Sequence, residues 1–193
     1  MNIVIKSKTK YKNIHYELIE QCKRGNTNAQ FEIYKLYYKA MYNTAYRIVN
    51  NFDDAEDVMQ EAFIKAFDKL NSFKQQSTFG AWLKRIVINE SLSWIKNKKT
   101  ISINSLENLE QIEIVEEQIE IDITNQNIQN ILNAIRTLKE NQRVAITLQL
   151  IEGYDYEEIS QIMQLSYANV RTLVSRAKAK LREKISINYE KYY

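Results

Sequence analysis

Proline is missing from all 193 residues of this chain, and glycine occurs only at Gly25, Gly80 and Gly153. Average usage would supply roughly ten prolines and thirteen glycines. These residues end strands and form their tight turns, so a many-stranded sandwich or barrel lacks its turn chemistry here. The expectation is an all-α protein. A single cysteine, Cys22, and a single histidine, His15, exclude a disulfide framework and any zinc site of Cys and His alone. No apolar run approaches the roughly 18 residues of a membrane span, and Met1-Asn2-Ile3-Val4-Ile5-Lys6 is no signal peptide. The expected localisation is cytoplasmic, with no membrane insertion.

A net charge of +3 hides a segregation. Residues 1–99 carry 17 Lys/Arg against 10 Asp/Glu, residues 100–130 carry seven carboxylates and no base, and residues 131–193 carry 10 bases against seven acids. Two basic helical modules on a flexible acidic linker follow from this pattern. The expected boundaries are a basic tail at 1–15, a four-helix module at 16–99, a linker at 100–127, a second module at 128–187 and a tail at 188–193. Turn and capping residues break the first module at Gly25–Asn28, Asn50–Asp54 and Asn71–Thr78. They break the second at 139–141, 152–154 and 164–166.

Three helices carry more than a core. The first runs from Asp53 to Leu70, with Asp53 or Asp54 expected as N-cap. At 100° per residue, Ala55, Val58, Met59, Ala62, Phe63, Ala66 and Leu70 share the core arc. Asp54, Asp57, Gln60, Glu61 and Asp68 fall opposite, with Ile64 among them and Phe67 at the edge. A solvated acidic face is the plain reading. A large apolar residue ringed by carboxylates also resembles an interface anchor inside a polar rim, suited to a basic partner. Acid–base or two-metal chemistry by paired carboxylates is a third reading, but no His or phosphate-binding glycine loop supports it.

The second helix runs from Phe79 to Asn97 and is capped by Ser77 or Thr78. Phe79, Trp82, Leu83, Ile86, Val87 and Trp94 lie on one side, and Ile88, Leu92 and Ile95 on the other. A strip of Arg85, Asn89, Ser93 and Lys96 runs between them. A helix apolar on both sides is ordinarily just buried. Here the preceding loop also offers Phe73, Lys74, Gln75 and Gln76, and aromatics interleaved with cations suit single-stranded nucleic acid.

The third element is a short helix opened by a capping box, Asp155-Tyr156-Glu157-Glu158. A tight turn follows, and Ser166 caps a longer helix whose core arc is Val170, Leu173, Val174, Ala177 and Leu181. Arg171, Ser175, Lys178 and Arg182 line its outer stripe, with Ala168 and Thr172 beside them. This is the pattern of a helix-turn-helix, whose second helix enters the major groove. An ordinary helical hairpin with a solvated basic face is the alternative.

Two separated stretches resemble the extracytoplasmic-function (ECF) class of bacterial sigma factors. Arg24-Gly25-Asn26, Ala29-Gln30-Phe31, Asp54-Ala55-Glu56-Asp57-Val58-Met59-Gln60-Glu61-Ala62-Phe63, Ser72-Phe73, Thr78-Phe79, Trp82-Leu83, Arg85-Ile86 and Asn89 are similar to region 2 of that family. Leu138-Lys139-Glu140-Asn141-Gln142-Arg143, Glu152-Gly153, Tyr156-Glu157-Glu158-Ile159, Val170-Arg171, Ser175-Arg176-Ala177 and Lys180-Leu181-Arg182 are similar to region 4. The resemblance implies a non-enzymatic transcription initiation factor without cofactor or metal. Its implied partners are core RNA polymerase, through the clamp helices and flap, promoter DNA, and a membrane-bound anti-sigma protein.

By this resemblance Asp57, Gln60 and Glu61 match the core-binding motif, and Asp54, Ile64 and Phe67 complete that face. The loop Phe73, Lys74, Gln75, Gln76 and Ser77 matches the one that captures a flipped −10 base, with Trp82, Arg85, Asn89 and Lys96 beside it. Tyr167, Asn169, Arg171, Thr172 and Ser175 become the readers of the −35 element, with Arg176 and Lys178 on phosphates. The acidic linker, by the same resemblance, threads channels later taken by RNA. Three departures stand out: Lys139 replaces a usual proline, Gln164 a usual glycine, and Glu90-Ser91-Leu92-Ser93 a more basic segment. A helix-turn-helix regulator that binds duplex DNA without polymerase is the main alternative, and a metal-dependent nuclease is the second.

Overall fold

The computed structural model describes residues 15–104 and 126–190, all of whose regular elements are helical. The chain divides into two compact units, Met1–Trp94 and Ile95–Tyr193.

In the first unit, α1 (Tyr16–Lys23), α2 (Thr27–Val49), α3 (Phe52–Asp68), a single 3-10 turn (Leu70–Ser72) and the leading part of α4 (Phe79–Asn104) follow in order. Gly25 holds φ at +81°, which side-chain-bearing residues rarely adopt, and so turns α1 back into α2. Asn26 then caps α2 by accepting from the Ala29 amide at 3.1 Å. Between α2 and α3 stand only two residues. Asn50, in the left-handed conformation, ends α2, and Asn51, extended, caps α3 by accepting from the Asp54 amide at 2.9 Å. The cap is therefore Asn51 rather than Asp53 or Asp54. Phe52 explains the shift, because its ring stacks on Tyr46 at 4.6 Å and becomes the first helical residue.

The core of this unit is Ile19, Ile33, Ile48, Val58, Met59, Phe79, Leu83, Val87 and Ile88, all nearly inaccessible. Every residue of the expected α3 core arc is buried. Four tyrosines at four-residue spacing on α2 form a ladder: Tyr34–Tyr38 at 5.4 Å, Tyr38–Tyr42 at 6.1 Å and Tyr42–Tyr46 at 6.3 Å between ring centroids. Tyr34 also meets Phe63 of α3 at 4.9 Å. Cys22 is buried, and loss of hydration pushes its thiol above the ordinary value.

Helix α4 continues seven residues past Asn97, so residues 100–104 are helical rather than linker. Nothing after Lys99 interrupts it, and the Thr100 hydroxyl donates back to the Lys96 carbonyl at 3.0 Å. The remaining linker acids from Glu107 to Asp122 lie outside the described residues, as does the tail 1–14.

In the second unit, α5 (Gln126–Arg136), α6 (Glu140–Leu150), α7 (Tyr156–Met163) and α8 (Tyr167–Glu190) pack with α8 against the other three. The α5–α6 break falls at Thr137–Lys139, two residues earlier than expected, because Glu140 already belongs to α6. Helix α8 reaches Glu190, so residues 188–190 are helix and not tail. Helix α6 is enclosed over seven successive residues, Gln142–Leu148. Arg143 is among them; burial pulls its guanidinium below the ordinary value, opposed by Glu140. Its Nη1 donates to the Leu138 carbonyl at 3.4 Å.

Candidate functional site

The outer face of α3 keeps its expected exposure pattern. Asp57, Gln60, Glu61 and Asp68 are exposed, Asp54 and Phe67 are half-buried, and Ile64 is 58% exposed in their midst. Phe67 rests on buried Phe63 at 6.0 Å, which carries the apolar surface toward α2. There Tyr34 and Tyr38 continue it, and Phe31 is 60% exposed with the Lys35 ammonium 4.8 Å above its ring. The apolar part of this face thus extends beyond α3, to which the helical pattern of the sequence confines it. The four-residue aromatic spacing on α2 was the signal that could have extended it.

Lys65 interrupts the acids. Its Nζ lies 3.2 Å from Glu61 Oε1 on the same helix and 2.6 Å from Glu90 Oε2 on α4. Those hydrogen bonds, Glu90 first, raise its ammonium above the ordinary lysine value. Lys65 is not among the residues the sequence points to, and Glu90 enters there only as part of the Glu90–Ser93 departure, not as a partner of α3. The Glu61–Lys65 spacing of four was legible, but a pairing across 25 residues was not.

The loop before α4 divides in two. Lys74 and Gln76 are exposed, Gln75 takes the left-handed conformation at φ 55°, and Ser77 is half-buried. Phe73 corrects the expectation of a solvent-facing aromatic. It is 4% exposed, its ring 5.7 Å from Phe79 and 5.2 Å from half-buried Trp82. A ring held between two aromatics releases more apolar surface from water than one standing free in the loop. Thr78, and not Ser77, caps α4, accepting from the Ala81 amide at 3.2 Å. Beyond it Arg85 and Asn89 are exposed along one strip, and Lys96 is exposed further along the helix.

The helix-turn-helix is built as its sequence suggests. Asp155 Oδ1 accepts from the Glu158 amide at 2.8 Å, and Glu158 Oε2 from the Asp155 amide at 3.0 Å. Gln164 ends α7 at φ 54° and ψ 42°, the left-handed region where the family resemblance expects glycine. Ser166 Oγ accepts from the Asn169 amide at 3.3 Å. Val170, Val174 and Ala177 are fully buried, which fixes the rotation of α8. Tyr167, Asn169, Arg171, Thr172, Ser175 and Arg176 then face outward, while Lys178 is half-buried. Tyr167 meets Tyr156 edge-on at 5.9 Å. With Ala168, five of these outward residues line one shallow, open depression: Tyr167, Arg171, Thr172, Ser175 and Arg176. The Thr172 hydroxyl donates to the Ala168 carbonyl at 2.9 Å, so outward it offers a lone pair and a methyl group.

Among the described residues no group of three or more His, Cys, Asp or Glu side chains is placed to hold a metal ion. Likewise, no described helix is long and apolar enough to cross a membrane.

Comparison with known proteins gives the class. Residues 33–101 match the family model of Sigma-70 region 2, and residues 128–181 match that of Sigma-70 region 4. RNA polymerase sigma-H factor of Pseudomonas aeruginosa is 32% identical over 172 residues, covering 84% of this chain and 89% of that protein. ECF RNA polymerase sigma factor SigW of Bacillus subtilis is 28% identical over 180 residues, covering 86% and 94%. Among solved structures, the sigma factor RpoE of Bartonella quintana, crystallised with the anti-sigma factor NepR, superposes with a TM-score of 0.56 at 26% identity. That match covers 81% of this chain and 96% of the other. The chain belongs to the ECF class of sigma-70 factors. Sigma factors bind core RNA polymerase and promoter DNA, and this chain carries regions 2 and 4 of that family.

Proposed function

We propose that this protein initiates transcription by dividing the work among the three faces described. The α3 face, Asp54, Asp57, Gln60, Glu61, Ile64 and Phe67, docks a basic helical element of core polymerase, the clamp helices. Ile64 is the apolar anchor and the carboxylates form the rim. Lys74, Gln75, Gln76 and Ser77, with Trp82, Arg85, Asn89 and Lys96, receive the unpaired −10 strand. Phe73 supports that loop from beneath rather than stacking on a base. Tyr167, Asn169, Arg171, Thr172 and Ser175 read the −35 duplex, while Arg176 and Lys178 neutralise phosphates. The second module also meets the polymerase flap.

One observation carries this reading. A buried apolar arc on α8 turns a basic stripe outward, in the same chain whose α3 turns an acidic stripe outward around Ile64. Faces of opposite sign, one on each module, fit a protein partner on the first and nucleic acid on the second. The module boundaries are taken as 16–99 and 128–187. The factor works in the cytoplasm, has no catalytic residue of its own and leaves the chemistry to polymerase. An anti-sigma protein, by analogy with the RpoE complex, is the expected antagonist.

Electrophoretic mobility shift tests the division of labour. Promoter-specific binding is expected only with core polymerase, and weak binding by the protein alone. Tight, specific binding without polymerase would instead describe a stand-alone regulator.

A further inference from the structure

Lys65 is the only base between Phe52 and Asp68, and it stands among the acids that α3 turns outward. Its ammonium is shared between two carboxylates of unequal exposure. Glu61, at 3.2 Å, has a side chain 52% exposed, whereas Glu90, at 2.6 Å, has one only 20% exposed. The closer bond thus goes to the more sheltered partner, on the neighbouring helix. An arginine or lysine arriving at Glu61 would meet the Lys65 charge only a few ångströms away. Such a like-charge contact is unfavourable even in water, and more so beside a protein surface. Giving Lys65 wholly to Glu90 relieves that repulsion and frees both oxygens of Glu61.

We infer that Lys65 is an internal counter-ion on the docking face, and that Glu90 is the acceptor that holds it aside when a cation of the partner takes Glu61. This rests on the reading that α3 docks core polymerase, and it adds two positioning residues to that face. Glu90 acts through Lys65, and Lys65 through Glu61. The raised ammonium of Lys65, owed first to Glu90, accords with that order of partners.

The inference is a statement about coupling, so a double-mutant cycle tests it. Labelled full-length protein is titrated with core RNA polymerase at one ionic strength for the wild type, E61Q, K65M, E90Q and K65M/E90Q. E90Q should weaken docking roughly two- to fivefold, the range of exposed ion pairs, and K65M should tighten it by a similar factor. In the K65M background E90Q should change nothing, because the charge it restrains is gone. An equal E90Q effect in both backgrounds would overturn the inference, since a loosened α3–α4 contact or a weaker overall field does not need Lys65. Thermal midpoints of the four variants check that readout independently. If E61Q weakens docking while K65M and E90Q leave it unmoved, this inference alone fails. If E61Q has no effect either, the docking reading fails with it.

Discussion

The hydroxyl of Ser160 donates to the carbonyl of Leu165 at 2.7 Å, closing the helix-turn-helix turn from the α7 side. The Leu165 amide returns to the Ser160 carbonyl at 3.1 Å, so the two residues clasp Gln164 between them. This clasp holds a non-glycine residue at φ 54°. A residue with a Cβ loses about 1–2 kcal/mol there, and part of that returns because glycine gives up more chain entropy on folding. Gln164→Gly should therefore stabilise the second module by about 0.5–1 kcal/mol. Chemical denaturation of the full chain would register it as a higher midpoint. Ser160→Ala should act in the other direction by about 1 kcal/mol, the net contribution of one hydrogen bond.

The α2–α3 junction allows a sharper test, because Asn51, Asp53 and Asp54 are all good caps by type. Asn51→Ala should cost about 1 kcal/mol, since it removes the side chain that receives the Asp54 amide. Asp53→Ala should cost only a few tenths, the value of an exposed first-turn acid facing the helix dipole. A larger loss at Asp53 than at Asn51, measured by thermal unfolding, would move the cap.

Phe73 separates packing from base capture. Buried against Phe79 and Trp82, it should cost about 3–5 kcal/mol of stability on truncation to alanine. Gln76→Ala, on the exposed part of the same loop, should leave stability within about 0.5 kcal/mol. Its effect should appear only in open-complex formation, followed by permanganate reactivity of unpaired thymines. A stable Phe73→Ala variant with lost promoter melting would return that ring to the DNA.

These junctions also mark how far the sequence could be read. The capping box at Asp155 and Glu158, the Ser166 cap and the core arcs of α3 and α8 rest on contacts three or four residues apart, and local spacing encodes them directly. The choice of Asn51 depends on Phe52 meeting Tyr46, a tertiary contact that no capping preference contains. Whether Phe73 turns inward depends on space left by Phe79 and Trp82, and the Lys65–Glu90 pair depends on how α3 and α4 cross. Charge sign and exposure on each face were legible; the particular partner of each charge was not. The extension of α4 through Thr100–Asn104 shows a milder form of this, since β-branched residues lower helix propensity without forbidding a helix.

The docking face is expected to be a mixed surface, with an apolar centre and a charged rim. Ile64→Asp should weaken binding to core polymerase by about tenfold or more, the usual effect of losing a central anchor. Glu61→Lys should abolish binding by placing a cation beside Lys65. Both residues are exposed and outside the core, so circular dichroism should show an unchanged helical fold. Phe31→Ala on α2 should weaken binding as well if the aromatic surface that reaches it through Tyr34, Tyr38 and Phe63 belongs to the same interface. Unchanged affinity in a competition assay would confine docking to α3.

Arg171 and Arg176 share the outward side of α8 and line the same depression, yet different losses are expected from them. Arg171 lies one turn into the helix, where a recognition helix presents base-reading side chains. Arg171→Ala should cost about 1–3 kcal/mol of promoter binding by the holoenzyme and relax discrimination at one position of the −35 element. Arg176, further along and suited to phosphate, should on truncation weaken all sequences alike and reduce the salt dependence of binding by about one ion. Selection of bound sequences from a randomised −35 library, repeated at two salt concentrations, separates the two roles. A uniform loss for Arg171→Ala with a shallower salt slope would reassign it to the backbone. The reading of bases would then fall to Tyr167, Asn169, Thr172 and Ser175, of which Thr172 has already committed its hydroxyl proton to Ala168.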